Sequence, residues 1–131
     1  MFQKNDQIVE FIDTVYLPVL NKQESIQWFQ EKLGLQWNGH CFNLGSGPVI
    51  FLVQVKNKDD VKISYLTDDW EGIDYEMQLV TFRSKNIDET YKILKERGVR
   101  VSEVRMYDGN RKNFRFYDLN GNRFDVWSGW L

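Results

Sequence analysis

Histidine and cysteine are almost missing. His40 and Cys41 are the single representatives of each in 131 residues. A lone cysteine excludes an intrachain disulfide framework, and one adjacent His–Cys pair leaves too few nitrogen and sulfur ligands for a structural zinc site. A surplus of one charge is missing as well. The chain has 17 Lys+Arg against 19 Asp+Glu and a net charge of −2, so it carries no basic footprint for nucleic acid or an anionic membrane surface. No run approaches the roughly 18 consecutive apolar residues of a membrane span. Met1 to Glu10 is polar and lacks the apolar stretch of a signal peptide. These exclusions leave the expectation of one soluble, cytoplasmic domain over residues 1–131, long enough to bury roughly two-thirds of the surface its unfolded chain exposes.

Aromatic residues are abundant instead, at 15% of the chain with five Trp. Aromatics fill cores, and they also line concave sites for flat or apolar ligands. The figure raises the expectation of a small-molecule pocket without deciding it.

The chain repeats itself. Asn21-Lys22-Gln23-Glu24 fits a helix N-cap with an acid three residues on, each able to satisfy a free N–H of the first turn. Ile26, Phe29 and Leu33 then recur on one helical face, and Gly34 supplies the left-handed stop. A shift of 65 residues finds Asn86-Ile87-Asp88-Glu89 with Ile87, Tyr91 and Leu94 as the stripe and Gly98 as the stop. Before each helix lies an extended run, Phe11 to Leu20 and Met77 to Phe82. After each come short strand candidates: Leu35 to Trp37, Cys41 to Leu44 and Val49 to Val55, then Arg100 to Met106, Asn113 to Tyr117 and Arg123 to Trp127. Asn38-Gly39 is a strong hairpin signal. Each half reads strand, helix, strand, strand, strand. Residues 11–55 form one unit, 56–76 a linker and 77–127 the second unit. The acidic linker reads as a solvated crossover with a short edge strand near Ile63 to Leu66, or as a mobile flap with Trp70 as its lid.

Thr14-Val15-Tyr16-Leu17-Pro18-Val19, Ser25-Ile26-Gln27-Trp28-Phe29 and Leu33-Gly34-Leu35 resemble the opening of vicinal oxygen chelate proteins. Asp118-Leu119-Asn120-Gly121-Asn122-Arg123-Phe124-Asp125 resembles their closing turn and last strand. That superfamily holds glyoxalase I, extradiol dioxygenases and the bleomycin and fosfomycin resistance proteins. The resemblance implies an α+β fold of two βαβββ modules whose mixed sheet curls around a shared cleft, and, for a single-domain chain, a homodimer.

The resemblance also implies four metal-ligand positions, which fall on Thr14, Phe51, Leu79 and Asp125. Only Asp125 is a good ligand, and one carboxylate with one hydroxyl does not offset the loss of an ion's water shell. A register slipped by one residue offers Asp13 and Gln78 but turns helix-packing faces into the cleft. No metal or other cofactor is therefore expected. Strand alternation places Thr14, Tyr16, Phe51 and Val53 on the inner face of the first module, with Leu79, Thr81, Arg83, Asp125 and Trp127 from the second. Asp125 pairs with Arg83 or meets a cationic ligand beside a stacking Trp127 or Tyr16; Arg115 faces either the cleft or solvent. The leading expectation is a binding protein that sequesters a small aromatic or cationic compound. The competing one is a lyase, isomerase or dioxygenase-like enzyme, using Asp125 as acid and base with its pKa raised by desolvation, or a metal at other ligands. Trp130 and Leu131 need cover, from their own sheet or from a dimer partner.

Overall fold

The computed structural model of the chain describes residues 1–130, so the expectation for Leu131 lies outside the described residues. Both helices form where their caps stand. α1 spans Lys22–Leu33 and α2 spans Ile87–Glu96. Asn21 Oδ1 accepts from the Glu24 N–H at 3.0 Å and Asn86 Oδ1 from the Glu89 N–H at 3.1 Å, satisfying an orphan donor of each first turn. Gly34, at φ 69°, ends α1.

The strands are β1 Thr14–Val19, β2 Val49–Gln54, β3 Ser64–Thr67, β4 Tyr75–Gln78, β5 Thr81–Arg83, β6 Arg100–Val101, β7 Arg105–Met106, β8 Lys112–Tyr117 and β9 Arg123–Trp127. The repeat is visible in their pairing. β1 runs parallel to β2 with Tyr16 opposite Phe51; β5 runs parallel to β9 with Thr81 opposite Asp125. Tyr16 and Thr81 are separated by the same 65 residues as the two Asn caps.

The sheets are more divided than the sequence suggests. β1–β2 and β3–β4 are two-stranded, and β5-β9-β8-β6 with β7 makes the five-stranded third. The first module's middle strand candidates shrink to single bridges, Trp37 to Phe42 and Phe42 to Ile50, around the Asn38-Gly39 turn. The linker is an antiparallel hairpin rather than a solvated crossover, pairing Ser64 with Gln78 and Thr67 with Tyr75. The expected single run from Met77 to Phe82 changes partner midway: Leu79 N–H donates to Ile63 C=O at 2.8 Å, whereas Val80 C=O accepts from Asp125 N–H at 3.2 Å.

One core joins the halves. Leu17, Val19, Ile50 and Leu52 from β1 and β2 are buried with Phe114, Phe116, Phe124 and Val126 from β8 and β9. Phe29 of α1 is fully buried among Phe42 and Phe124, with ring centroids 5.6 and 6.1 Å away. The turn after β8 staples the modules together. Asp118 accepts from the N–H groups of Asn120 and Asn122 at 2.8 and 2.9 Å. Asn120 accepts from Leu20 N–H at 3.0 Å, and Asn122 donates to Pro18 C=O at 3.1 Å. The C-terminal ends of the two helices meet. Lys32 Nζ donates to Arg97 C=O at 2.6 Å, and Arg97 Nη1 donates to Lys32 C=O at 2.9 Å.

Candidate functional site

A cavity of about 400 Å³ opens between the second module's outer sheet face and the β3–β4 hairpin, a size that suits a small molecule. β9 supplies Asp125 and Trp127, β8 supplies Asn113, and the switching strand supplies Met77, Gln78 and Thr81. Trp70 and Tyr75 come from the hairpin, Tyr107 from the segment before β8, and Trp130 from the tail. The rings brace one another: Trp127 stands edge-on to Tyr107 at 5.6 Å and to Trp130 at 5.3 Å. Trp130 thus folds back toward its own sheet, yet stays 70% exposed.

Asp125 is the buried acid of this cavity. Asn113 Nδ2 donates to its Oδ1 at 2.7 Å. Burial pushes the Asp125 carboxyl above the ordinary carboxylate range, against the opposing pull of the Asn113 bond and of Arg115, Arg123 and Arg105. Among the described residues Asp125 makes no ion pair; the pairs there are Arg105–Glu71, Lys112–Asp88 and Arg123–Glu76. Arg115, directly across the strand pair from Asp125, instead holds its guanidinium 5.1 Å from the Tyr75 ring, with burial lowering its pKa. Arg83 does not pair with Asp125 either. It lies against the backbone of Gly129, where an added Cβ would sit 2.9 Å from its Nε and displace the guanidinium, and the φ of 101° there strains any side chain.

The loop over the cavity is tightly folded. Glu71 and Asp74 both have φ 51°, left-handed for residues that carry a Cβ, and Gly72 has φ 116°. Asp68 Oδ1 accepts from Asp74 N–H at 2.8 Å. Glu71 takes both terminal nitrogens of the Arg105 guanidinium, which raises the Arg105 pKa.

Of the nine residues expected on the cleft, the structure gathers Thr81, Asp125 and Trp127 around this cavity. Thr14, Tyr16, Phe51 and Val53 lie on the β1–β2 sheet and do not line it. Tyr16 and Phe51 touch edge-on at 5.8 Å, and the Thr14 hydroxyl donates to Asp13 at 2.6 Å. Leu79 is 64% exposed, beside the point where its strand changes sheets. The four positions aligned with metal ligands therefore do not converge on this cavity. Asp125 is the one good donor among them, and a single carboxylate without the other three positions beside it does not fit a divalent ion. Among the described residues no group of three or more His, Cys, Asp and Glu side chains could hold a metal.

Sequence reasoning missed Glu71, Tyr75, Met77, Gln78, Tyr107, Asp108, Asn113 and Trp130 as lining residues, and read Arg111, which also lines the cavity, as part of a solvated turn. For Asn113 a signal existed: it is two residues from Arg115 and so shares its strand face.

Two parallel strand pairs, each with an Asn-capped helix between its strands in the chain, define an α+β chain with its candidate site on the sheet of one half. The chain belongs to the Glyoxalase/Bleomycin resistance protein/Dioxygenase superfamily, whose family model matches residues 11–126. None of the curated proteins matches the sequence significantly. Solved structures do resemble it. A member of the same superfamily from Sphaerobacter thermophilus DSM 20745 is 17% identical with a TM-score of 0.65, covering 92% of this chain and 98% of that one. TnmS3, an antibiotic binding protein from Streptomyces sp. CB03234, is 17% identical with a TM-score of 0.63, covering 92% and 97%. UcmS2 is 17% identical with a TM-score of 0.68, covering 93% and 100%. At these identities the likeness is one of fold.

Proposed function

We propose that this protein is a metal-free binding protein that sequesters a small aromatic or cationic compound in the cavity around Asp125. The observation that carries the reading is a buried carboxylate without a cationic partner, walled by Trp70, Tyr75, Tyr107, Trp127 and Trp130. Aromatic faces attract flat rings and cations alike, and a carboxylate adds charge. TnmS3, of the same fold, is an antibiotic binding protein, in keeping with this reading. Residues 68–74 act as the flap over the site, with Trp70 as its lid. The test is a Trp-fluorescence screen of planar compounds. Quenching or a spectral shift that saturates is expected, and it should be lost when Trp127 and Trp130 are both replaced by Leu. No response from any compound at high micromolar concentration sinks the reading.

The assembly proposed with it is a homodimer. β1 and β5 each have a free outer edge among the described residues, and Phe11, Ile12, Tyr16 and Val53 expose apolar surface beside β1. A second copy laid on that face would bring the first module's expected residues, Tyr16 and Phe51 among them, to a cleft. Light scattering should give twice the chain mass, and Tyr16→Lys should reduce it to one.

Proton transfer by Asp125 is the second reading, supported by the upward push that burial gives its carboxyl. It requires Asp125→Asn to abolish turnover, where the binding reading requires only weakened capture of cations.

A further inference from the structure

Asp125 is held in a way that defines what should meet it. Its one side-chain hydrogen bond among the described residues comes from Asn113 Nδ2. Because that amide nitrogen faces the carboxylate, the Asn113 oxygen is fixed as an acceptor, and it has no partner. Gln78 Oε1 is also buried without a partner, and so is the Trp127 Nε1–H donor. All four residues line the same cavity. Among the lining groups buried without a partner, two amide oxygens thus stand against one indole N–H, beside the Asp125 carboxylate. Of the arginines nearby, Arg111 lines the cavity but gives its Nε–H to Asp108 C=O and lies over the Trp130 ring. Arg105 pairs with Glu71, Arg123 with Glu76, and Arg115 lies over Tyr75, the last two each keeping a buried Nε–H without a partner, outside the lining.

Buried acceptors without donors and a carboxylate without a cation are each unfavourable. A single ligand group offsets both when it is positively charged, flat, and carries several N–H bonds side by side. A quaternary ammonium would answer the charge and the aromatic faces but would leave the acceptors unpaired. A neutral ring would leave the charge unpaired, and an anion would face Asp125 directly. We infer that this cavity selects a planar cation with an N–H-bearing edge, of the amidinium or guanidinium class, with Asp125 taking the N–H fork, Asn113 and Gln78 receiving the remaining donors, and the Trp and Tyr faces covering the plane. A carboxylate accepts such a fork through two parallel charge-assisted bonds. This inference rests on the proposal that the cavity binds a small molecule, and refines it.

The experiment uses four probes of one size on the full chain: benzamidinium, phenyltrimethylammonium, benzyl alcohol and benzoate, each titrated by calorimetry with Trp fluorescence in parallel. Benzamidinium is expected to bind at least about tenfold more tightly than the other three. Asp125→Asn, a change of one atom type without change of volume, should remove that preference while circular dichroism shows an unchanged fold. Equal affinity for benzamidinium and phenyltrimethylammonium, or tighter binding of benzyl alcohol or benzoate, overturns the inference and leaves a small-molecule cavity standing. So does a preference for benzamidinium that survives Asp125→Asn. If none of the four binds up to concentrations on the order of 10 mM, the cavity reading fails with it.

Discussion

Removing the Glu71–Arg105 pair should loosen the flap and nothing else. The closed loop places two non-glycine residues, Glu71 and Asp74, at φ 51°, at a cost on the order of 1 kcal/mol each. The Asp68–Asp74 hydrogen bond and the bidentate Glu71–Arg105 pair oppose that cost. The pair is partly solvated, with side chains 39% and 28% exposed, so its worth belongs near the upper end of the surface range, about 0.5–1 kcal/mol. At RT of about 0.6 kcal/mol this is roughly a two- to fivefold rise in the open population when Glu71 becomes Gln. Glu71→Gln keeps the side chain's size and leaves Arg105 over the Tyr107 ring, 5.6 Å away, so packing is conserved. The readout is hydrogen exchange of the Asp74 amide, which is protected by Asp68 only while the loop is closed. Its exchange should speed by the same two- to fivefold factor, and amides of β8 and β9 should not change. Molar salt should bring the unmodified protein toward the variant, because screening weakens an exposed pair. An Asp74 amide that exchanges equally in both proteins at low salt would refute the assignment of Glu71–Arg105 as what holds the flap shut.

Further expectations concern the caps and the buried acid. Asn21→Ala and Asn86→Ala should each cost about 1 kcal/mol in urea unfolding, since each removes the side-chain acceptor of a first-turn N–H; a cost in only one of them would break the equivalence of the two halves. Asp125 has its carboxyl raised, so between the ordinary carboxylate range and its raised value the folded chain holds more protons than the unfolded one. Stability is then lost as pH rises through that window, and the loss persists above it. Asn cannot ionise, so Asp125→Asn should gain stability relative to the unmodified chain as pH goes from about 4 to about 8. Urea midpoints across that range would show it, and a gain that shrinks toward high pH contradicts the sign.

Much of the frame was legible in the sequence because its signals are local. A cap, an acid and a glycine stop lie within one helix, so Asn21 through Gly34 and Asn86 through Gly98 declare α1 and α2 unaided. The parallel pairing of Tyr16 with Phe51 and of Thr81 with Asp125 was not legible in the same way, because it joins residues on either side of a helix. The hairpin of β3 and β4 was hidden because its alternation is interrupted by charge: Asp68, Asp69, Glu71 and Asp74 crowd its loop and read as a solvated crossover. The strand switch between Leu79 and Val80 was hidden for another reason. Nothing in Met77 to Phe82 tells which partner each residue chooses, and a change of partner rotates the face each side chain presents. That is why Leu79 points to solvent while Gln78, set aside on parity grounds, lines the cavity. Asn113 was overlooked because Arg115, its neighbour on the same face, was weighed chiefly as a surface charge. The division of the first module's expected residues from the second's is a matter of tertiary placement, which periodicity does not encode.

Each helix keeps its own backbone stop, yet Lys32 reaches the terminal carbonyl of the second helix and Arg97 those of the first, so each takes a cation from the opposite half. Both helix dipoles present their negative ends at this seam, and each is neutralised by a cation rooted in the opposite half. A fragment comprising either repeat would therefore keep its N-cap and lose its C-terminal partner, a handicap that its own sequence does not reveal. Change at one of the two positions is felt first by the other repeat. The two halves are thus mutually dependent where their helix C-termini meet.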